Sequence, residues 1–533
     1  MSKKIILALT VIGLISVLFT LIQKTPVPPC FNSDEAAFSY NAYSILKTGR
    51  DEYGTLLPLR LKSFGDYKMP LFTYLSVPFI ALFGLNEFGA RSLNIMLSFI
   101  LPFAVYLLTH ELFKNKKIGL LAAFLTSVSL GLHIMTRQAH EAYLAVILTT
   151  LATYFLIKLL QKRSLWNGVL FALSSILLLF SYHPGRLFVL FFLLFAIIHT
   201  LFEKQKNWNI ALLIIGIFAL FSVTDVMYAP KRLENLAFFK NAGFTLKINE
   251  LKTEGGIKYL YNPLFIGLKD TLLQHLTYFS PQFLLINGDE NYRFGYPGMS
   301  IFTPIEYLFV LVGIYFLFRN KEKWRWFILS LMFISPLSAS LSWAGGSITR
   351  SLFLLIPLFI LASYGFVNLA QILRQKQKTY YYLFSLLVFS FFIIFIWDFY
   401  LFHYPKRLTT IHAWQCGYKE VNTFIKDNYQ KYERFYVTRD IGMPYIFTLF
   451  YLQYPPKKYQ QQAQLTPPDE YGFGQVEKFD KFVFNFKEPS LAEKGSIVIG
   501  SVDNFKGLKN IDSTRLQTVS VNGEPMFQIY TPL

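Results

Sequence analysis

The chain has 533 residues, of which 53% are hydrophobic and only 16% charged, and it carries 56 Phe and 33 Tyr. This composition excludes a disordered chain and argues against an ordinary soluble globule. Lys and Arg outnumber Asp and Glu by 51 to 32, a surplus that taken alone would fit a nucleic-acid partner, so the placement of the charges has to decide. Cys30 and Cys416 are the two cysteines; they allow at most one disulfide and no cysteine-based zinc site.

Apolar runs approaching the roughly 17–25 residues that cross a bilayer recur through the first 400 positions. They lie near 5–22, 88–109, 118–134, 141–160, 165–182, 186–202, 207–224, 304–318, 324–342, 350–370 and 380–399. About eleven spans are therefore expected, with residues 3–22 as an uncleaved first helix, because no small-residue cleavage pattern precedes the Pro-rich 26–29 stretch. With the N-terminus inside, the short inside segments hold seventeen Lys and Arg against Glu111, Glu203 and Glu322. Fourteen of the nineteen surplus charges thus follow the positive-inside rule. Most of the charge is topological, and no nucleic-acid partner is expected. The expected location is the plasma (inner) membrane, multi-pass, with a cytoplasmic N-terminus.

Three outside segments are large enough for chemistry: 24–87, 225–303 and 403–533. In the first, FNSDEAAFSYNAYSILKTG reads as a helix with Asn32 or Ser33 as N-cap and Gly49 as its stop. Residues 70–83 are apolar but short and begin at Pro70, which suits an interfacial or re-entrant helix. The tail from 403 has soluble composition. Helical stretches at 418–429 and 443–453 and strand-like RFYVTRD (434–440) and SIVIGSV (496–502) predict a small extracytoplasmic α/β domain. The expected organisation is a transmembrane domain over 1–402 and this domain over 403–533.

Asp34 and Glu35 stand at the start of the first outside helix. Acids there serve as simple caps, or as a general base if partial burial raises the pKa. Tyr67-Lys68-Met69-Pro70-Leu71, Asn86-Glu87-Phe88-Gly89-Ala90-Arg91 and Arg137-Gln138-Ala139-His140-Glu141 follow at the outside interface in this topology. Cations at such positions either snorkel to head groups or hold a phosphate. Tyr182 and Arg186 flank His183 at the outside ends of two spans, and Arg350 lies at the mouth of another. No Asp-x-Asp motif of the kind that holds Mg²⁺ occurs in the outside loops.

The Asp-Glu pair after the first span, the Tyr-Lys…Pro-Leu element, the Phe-Gly…Arg element and the Arg…acid of the next outside loop resemble glycosyltransferase family 39. That family includes protein O-mannosyltransferases and lipid A aminoarabinose transferases and has the multi-span GT-C fold. The resemblance implies Asp34 as catalytic carboxylate with Glu35 beside it, and Lys68 on the lipid phosphate. Met69 stands where the aminoarabinose transferases usually have a further proline. Arg137 and Glu141 match the basic and acidic pair of the second outside loop, with Glu where relatives often have Asp. Tyr67, Arg91, His140, Tyr182, Arg186 and Arg350 complete the expected substrate-binding set.

The expected reaction moves a sugar from a polyprenyl-phosphate donor to a protein, glycolipid or cell-wall acceptor, without metal or other cofactor. One base with no separate carboxylate nucleophile favours inversion. Two other classes compete: a lipid or glycan transporter, which would place ionisable groups near the midplane, and a membrane-anchored binding protein acting through its tail.

Overall fold

The computed structural model describes all residues except 24–25, 65, 163, 203–211, 214, 218, 220–221, 223–241, 343–344, 468–473, 475, 507, 509–510 and 533. It divides into two compact units. The first comprises Met1–Ile22, Asn94–Arg137 and Glu141–Tyr400; the second comprises Gln23–Leu93, Gln138–His140 and Leu401–Leu533.

Ten of the eleven expected spans carry a helix, and the eleventh, 207–224, falls largely outside the described residues, as do Arg163, Glu203, Lys204 and Lys206 of the inside segments. The first nine helices described are α1 (Lys3–Leu21), α2 (Ser33–Thr48), α3 (Leu71–Phe83), α4 (Glu87–Phe113), α5 (Lys116–Val128), α6 (Leu130–Thr136), α7 (Glu141–Lys162), α8 (Leu165–Leu179) and α9 (Gly185–Phe202). Among the described residues, five helices are long and apolar enough to cross a membrane: α1, α4, α7, Ile348–Ile372 and Gln375–Lys406. The α5–α6 pair makes a sixth if its 57° bend is taken as one broken span. The break has a local cause: Ser129 leaves the helical region at ψ 118°, and its hydroxyl accepts the Leu132 N–H at the start of α6. At fifteen residues, α8 rises only about 22 Å, less than the roughly 30 Å of a hydrocarbon core.

Inside the first unit, apolar packing is supplemented by polar contacts between helices, as expected where lipid removes the hydrophobic drive between spans. Thr20 of α1 meets Thr136 of α6 at 3.0 Å, His133 reaches the Ser16 carbonyl at 3.1 Å, and the Trp397 indole donates to the Val128 carbonyl at 2.9 Å. The helices Pro304–Arg319 and Leu355–Ile372 touch backbone to backbone. A Cβ on Gly365 would lie 2.6 Å from the Gly313 nitrogen and would collide with the Phe309 carbonyl.

In the second unit a hairpin pairs β1 (Leu61–Ser63) with β2 (Asp66–Lys68), setting Leu61 opposite Lys68. The tail forms one mixed seven-stranded sheet from β3 (Arg434–Val437), β4 (Gln464–Leu465), β5 (Val476–Phe479), β6 (Phe482–Val483), β7 (Ser496–Ser501), β8 (Leu516–Val521) and β9 (Glu524–Tyr530), in the order 4-5-6-3-7-9-8. Strand β3 runs parallel to β6 and β7, and the other pairings are antiparallel. Phe435, Phe479, Phe482, Ile497 and Ile499 are fully buried in this unit. The predicted helices appear as Tyr418–Asn428 and Pro444–Tyr451.

The tail joins α2 and the residues that follow it, up to Glu87, in this unit through named bonds. Tyr40 donates to the Tyr454 carbonyl at 2.9 Å, Gln460 to the Asp51 carbonyl at 2.8 Å, and Tyr451 to Glu87 at 3.1 Å. Cys30 and Cys416 form a disulfide across 386 residues.

The glycine contact yields a stability prediction. Gly365→Ala is expected to lower stability by about 1–3 kcal/mol, the usual result of overpacking, measured as a lower melting temperature in detergent. An unchanged melting temperature would show that the two helices part freely.

Candidate active site

Helix α2 starts with Asn32 as N-cap in a complete capping box: the Asn32 side chain accepts the Glu35 N–H at 3.1 Å, and the Glu35 carboxylate accepts the Asn32 N–H at 3.3 Å. Gly49, at φ 68°, closes the helix in the left-handed conformation, which glycine adopts without a Cβ penalty. Both ends of the helix thus follow from the residues at its boundaries.

Glu35 is fully buried, and its carboxylate collects donors from three directions. Arg91 of α4 binds it in bidentate fashion, Nε to Oε1 at 2.8 Å and Nη2 to Oε2 at 2.9 Å. The Ala139 N–H reaches Oε1 at 2.9 Å, and the Asn32 amide reaches Oε2 at 3.2 Å. Arg91 also donates to the Cys30 carbonyl at 3.0 Å and lies over the Phe31 ring. A carboxylate so occupied is a structural anchor.

Asp34 is different. Its side chain is 34% exposed, and it accepts Lys68 Nζ on Oδ1 at 2.6 Å. Lys68, at the end of β2, is 14% exposed, with Nζ 4.5 Å from the Phe38 ring centroid and 5.0 Å from that of Phe64. Phe38 lies one helical turn beyond Asp34 and so shares its face of α2. The aromatic faces favour the ammonium and limit its freedom. Tyr67, its neighbour on the strand, sits opposite Lys62 and points to the other face of the hairpin.

Asp34, Glu35, Lys68 and Arg91 are therefore brought together within the second unit, with residues 138–140 contributing the Ala139 amide. His140, half-buried, belongs to that same segment. The remaining expected residues belong to the first unit. Arg137 is buried, donates to the Phe19 carbonyl at 2.8 Å and lies over the Tyr400 ring. Glu141 is buried at the start of α7. Tyr182 and Arg186 sit at the turn between α8 and α9, where the Tyr182 carbonyl accepts the Gly185 N–H. Arg350 donates to Ser342 and faces Asp289. Asp289 accepts the Asn291 and Ile348 N–H groups, and burial pushes its carboxyl up to about 7.

Residues outside the expected set also matter. Asp51 and Glu52 are both buried in the second unit. Asp51 accepts the Tyr53 and Thr55 N–H groups, whereas the Glu52 carboxylate is buried with only weak help from the Asn41 and Tyr445 side chains. Burial, reinforced by neighbouring Asp51 and opposed by the Lys68 ammonium, pushes Glu52 up to about 8. Burial thus favours the protonated form of Glu52, which has no charge to compete for Lys68. The adjacent Asp-Glu letters were visible in the sequence, but the burial that distinguishes them was not.

A family model described as dolichyl-phosphate-mannose-protein mannosyltransferase matches residues 67–227. No curated protein matches the chain in sequence. Among solved structures, the chain is similar to ArnT from Cupriavidus metallidurans bound to undecaprenyl phosphate, with 10% identity and a TM-score of 0.52 over 99% of this chain and 98% of that one. It is also similar to the archaeal oligosaccharyltransferase AglB from Archaeoglobus fulgidus in complex with an inhibitory peptide and a dolichol-phosphate, with 14% identity and a TM-score of 0.51 over 84% of this chain. The chain spans 63% of the length of that enzyme.

The Glu35–Arg91 ion pair and the buried Glu52 each yield a prediction. Arg91→Ala leaves Glu35 buried without its bidentate partner and is expected to destabilise the protein by about 3–5 kcal/mol; Arg91→Lys, which cannot reproduce the fork, should recover only part of the melting temperature. Full recovery by lysine would contradict the bidentate assignment. For Glu52, a carboxyl raised in the folded state holds a proton that the unfolded chain releases near 4.5. The associated stability is full below that pH and is lost as pH rises through about 8. Glu52→Gln should therefore flatten the fall in melting temperature between about pH 4.5 and about pH 8, and a wild-type slope in that variant would contradict the burial argument.

The family match over residues 67–227 and the fold shared with ArnT and AglB agree with the resemblance noted in the sequence: the chain is mostly helical, with five or six helices apolar enough to cross a membrane among its described residues, and has a sheet-containing C-terminal region.

Proposed function

We propose that the protein is an integral-membrane glycosyltransferase that transfers a sugar, with inversion, from a polyprenyl-phosphate donor to an acceptor hydroxyl or amine on the outer side of the membrane. Asp34 is the general base, and Lys68 and Arg137 hold the lipid phosphate. The observation that carries this reading is the Asp34–Lys68 pair at 2.6 Å, seated on two aromatic rings and partly open to solvent. A lone surface cap would have no need of a caged cation, and a purely structural pair would be closed like Glu35–Arg91.

The chemistry balances with these groups. The acceptor oxygen or nitrogen forms a bond to the anomeric carbon as the bond to the phosphate oxygen breaks. The acceptor proton passes to Asp34, and the electron pair leaves with the lipid phosphate. In the resting protein Lys68 neutralises Asp34. A donor phosphate competes for the same ammonium, so donor binding frees the carboxylate to accept a proton while a cation meets the charge developing on the leaving group. Glu35 contributes by position, since its donors fix the helix start that carries Asp34. Tyr67, His140, Glu141, Tyr182, Arg186 and Arg350 remain proposed substrate contacts.

Support for a lipid-phosphate donor comes from the undecaprenyl phosphate in the ArnT structure and the dolichol-phosphate in that of AglB. The basic inside segments support a cytoplasmic N-terminus and an outside tail in the cell membrane. The acceptor is a protein, a glycolipid or a cell-wall polymer.

The test is transfer from a panel of radiolabelled polyprenyl-phosphate sugars, with nucleotide sugars alongside, in membranes containing wild-type or Lys68→Met protein. One lipid-linked sugar is expected to be transferred, and Lys68→Met should reduce transfer on the order of 100-fold. A nucleotide sugar used directly as donor, or transfer indifferent to Lys68, would contradict the reading.

A further inference from the structure

The first turn of α2 is completed by a residue from the far end of the chain. The first N–H groups of any helix lack intrahelical acceptors. Here the Glu35 N–H is taken by the Asn32 side chain, and the Ser33 N–H is taken by Gln415 Oε1 at 3.0 Å, from 382 residues away. Asn32 and Ser33 are both buried, so water is a poor substitute for either acceptor. The residue after Gln415 is Cys416, fully buried and disulfide-bonded to Cys30, two positions before the cap. The Cys30 carbonyl in turn accepts from Arg91. Two adjacent tail residues thus hold the entry to the helix that carries Asp34.

The backbone around this contact is unusual on both sides of the amide. Gln415 lies at φ 55°, a left-handed conformation that residues bearing a Cβ seldom adopt. Its own N–H donates to the His412 carbonyl and that of Cys416 to the Ile411 carbonyl, which is how the Leu408–Ala413 helix ends. For that turn alone glycine would be the easier residue. Gly442, at φ 100°, faces the same amide, and a Cβ there would collide with Gln415 Nε2. One position thus keeps a side chain where glycine fits more easily, and the other gives it room. Strain retained beside a candidate site is a pointer to function.

We propose that Gln415 is a positioning residue: its amide oxygen holds the Ser33 N–H and thereby sets the orientation of Asp34, making this piece of the tail part of the catalytic machinery. The inference rests on the reading of Asp34 as base for its kinetic consequence but not for its structural one.

The experiment uses the full-length protein in detergent or nanodiscs with Gln415→Gly, which relieves the left-handed backbone while removing the acceptor. Amide hydrogen exchange over residues 33–36 is expected to speed up, while the melting temperature stays equal or rises. The kcat for transfer should fall roughly 10- to 100-fold with little change in KM for the lipid donor. Gln415→Glu retains an acceptor oxygen and should restore exchange protection. By adding a negative charge near Asp34 it should also move the acid limb of the kcat profile to higher pH. Wild-type exchange over 33–36 in Gln415→Gly overturns the proposal, whatever happens to transfer. So does faster exchange with an unchanged kcat, or a kcat loss fully explained by a fallen melting temperature. Because exchange is read without substrate, a wrong assignment of the reaction would show as Asp34-independent transfer and is told apart from a wrong assignment of Gln415.

Discussion

The second unit depends on one buried carboxylate. Glu35 gathers a bidentate guanidinium, a backbone amide from residues 138–140 and the amides of its own cap, tying α2, α4 and a segment distant in sequence to a single point. An ionised group in that environment is tolerable only because each lone pair finds a donor. Once Glu35 is held, its neighbour has little choice of direction. Asp34 projects from the first turn toward the hairpin, where Lys68 waits between two rings. Two adjacent acids with opposite burial thus take on different duties.

The same unit shows why the tail and the segment around α2 belong to one another. Strands β3 to β9 build a sheet with its own aromatic core, yet Gln415, before that sheet, and Tyr451, between β3 and β4, bond back to the start of α2 and to Glu87. The disulfide secures the connection at its most sensitive place. Glu52 adds an electrostatic consequence: an ionised acid in its position would compete with Asp34 for Lys68, and burial works against that ionisation.

Much of this was readable from local chemistry. The Asn32 cap, the Gly49 stop, the two main helices of the tail and strands β3 and β7 follow from capping and alternation. The apolar runs predicted where helices stand, but not that α5 and α6 would break at Ser129 or that α8 would stop at Leu179. Hydropathy registers composition rather than the caps and turns that end a helix. Asp34 and Lys68 were singled out in the sequence, Lys68 as a phosphate ligand through the family resemblance, but their direct ion pair was not expected. The separate roles of Asp34 and Glu35 were not, because they depend on which donors arrive from α4 and from Ala139. Gln415 left no signal at all: a lone glutamine between Trp414 and Cys416 becomes meaningful only when 382 residues of chain bring it to Ser33.

The central claim is that the partly exposed carboxylate at position 34 accepts the acceptor's proton. Its most direct measurement is single-turnover transfer from the accepted lipid-linked sugar by purified Asp34→Asn protein, compared with wild type at matched folding and membrane insertion. Asparagine keeps the shape and a hydrogen-bonding oxygen but cannot take a proton, so the chemical step is expected to be lost while the lipid donor still binds. Turnover at the wild-type rate in that variant would contradict the account.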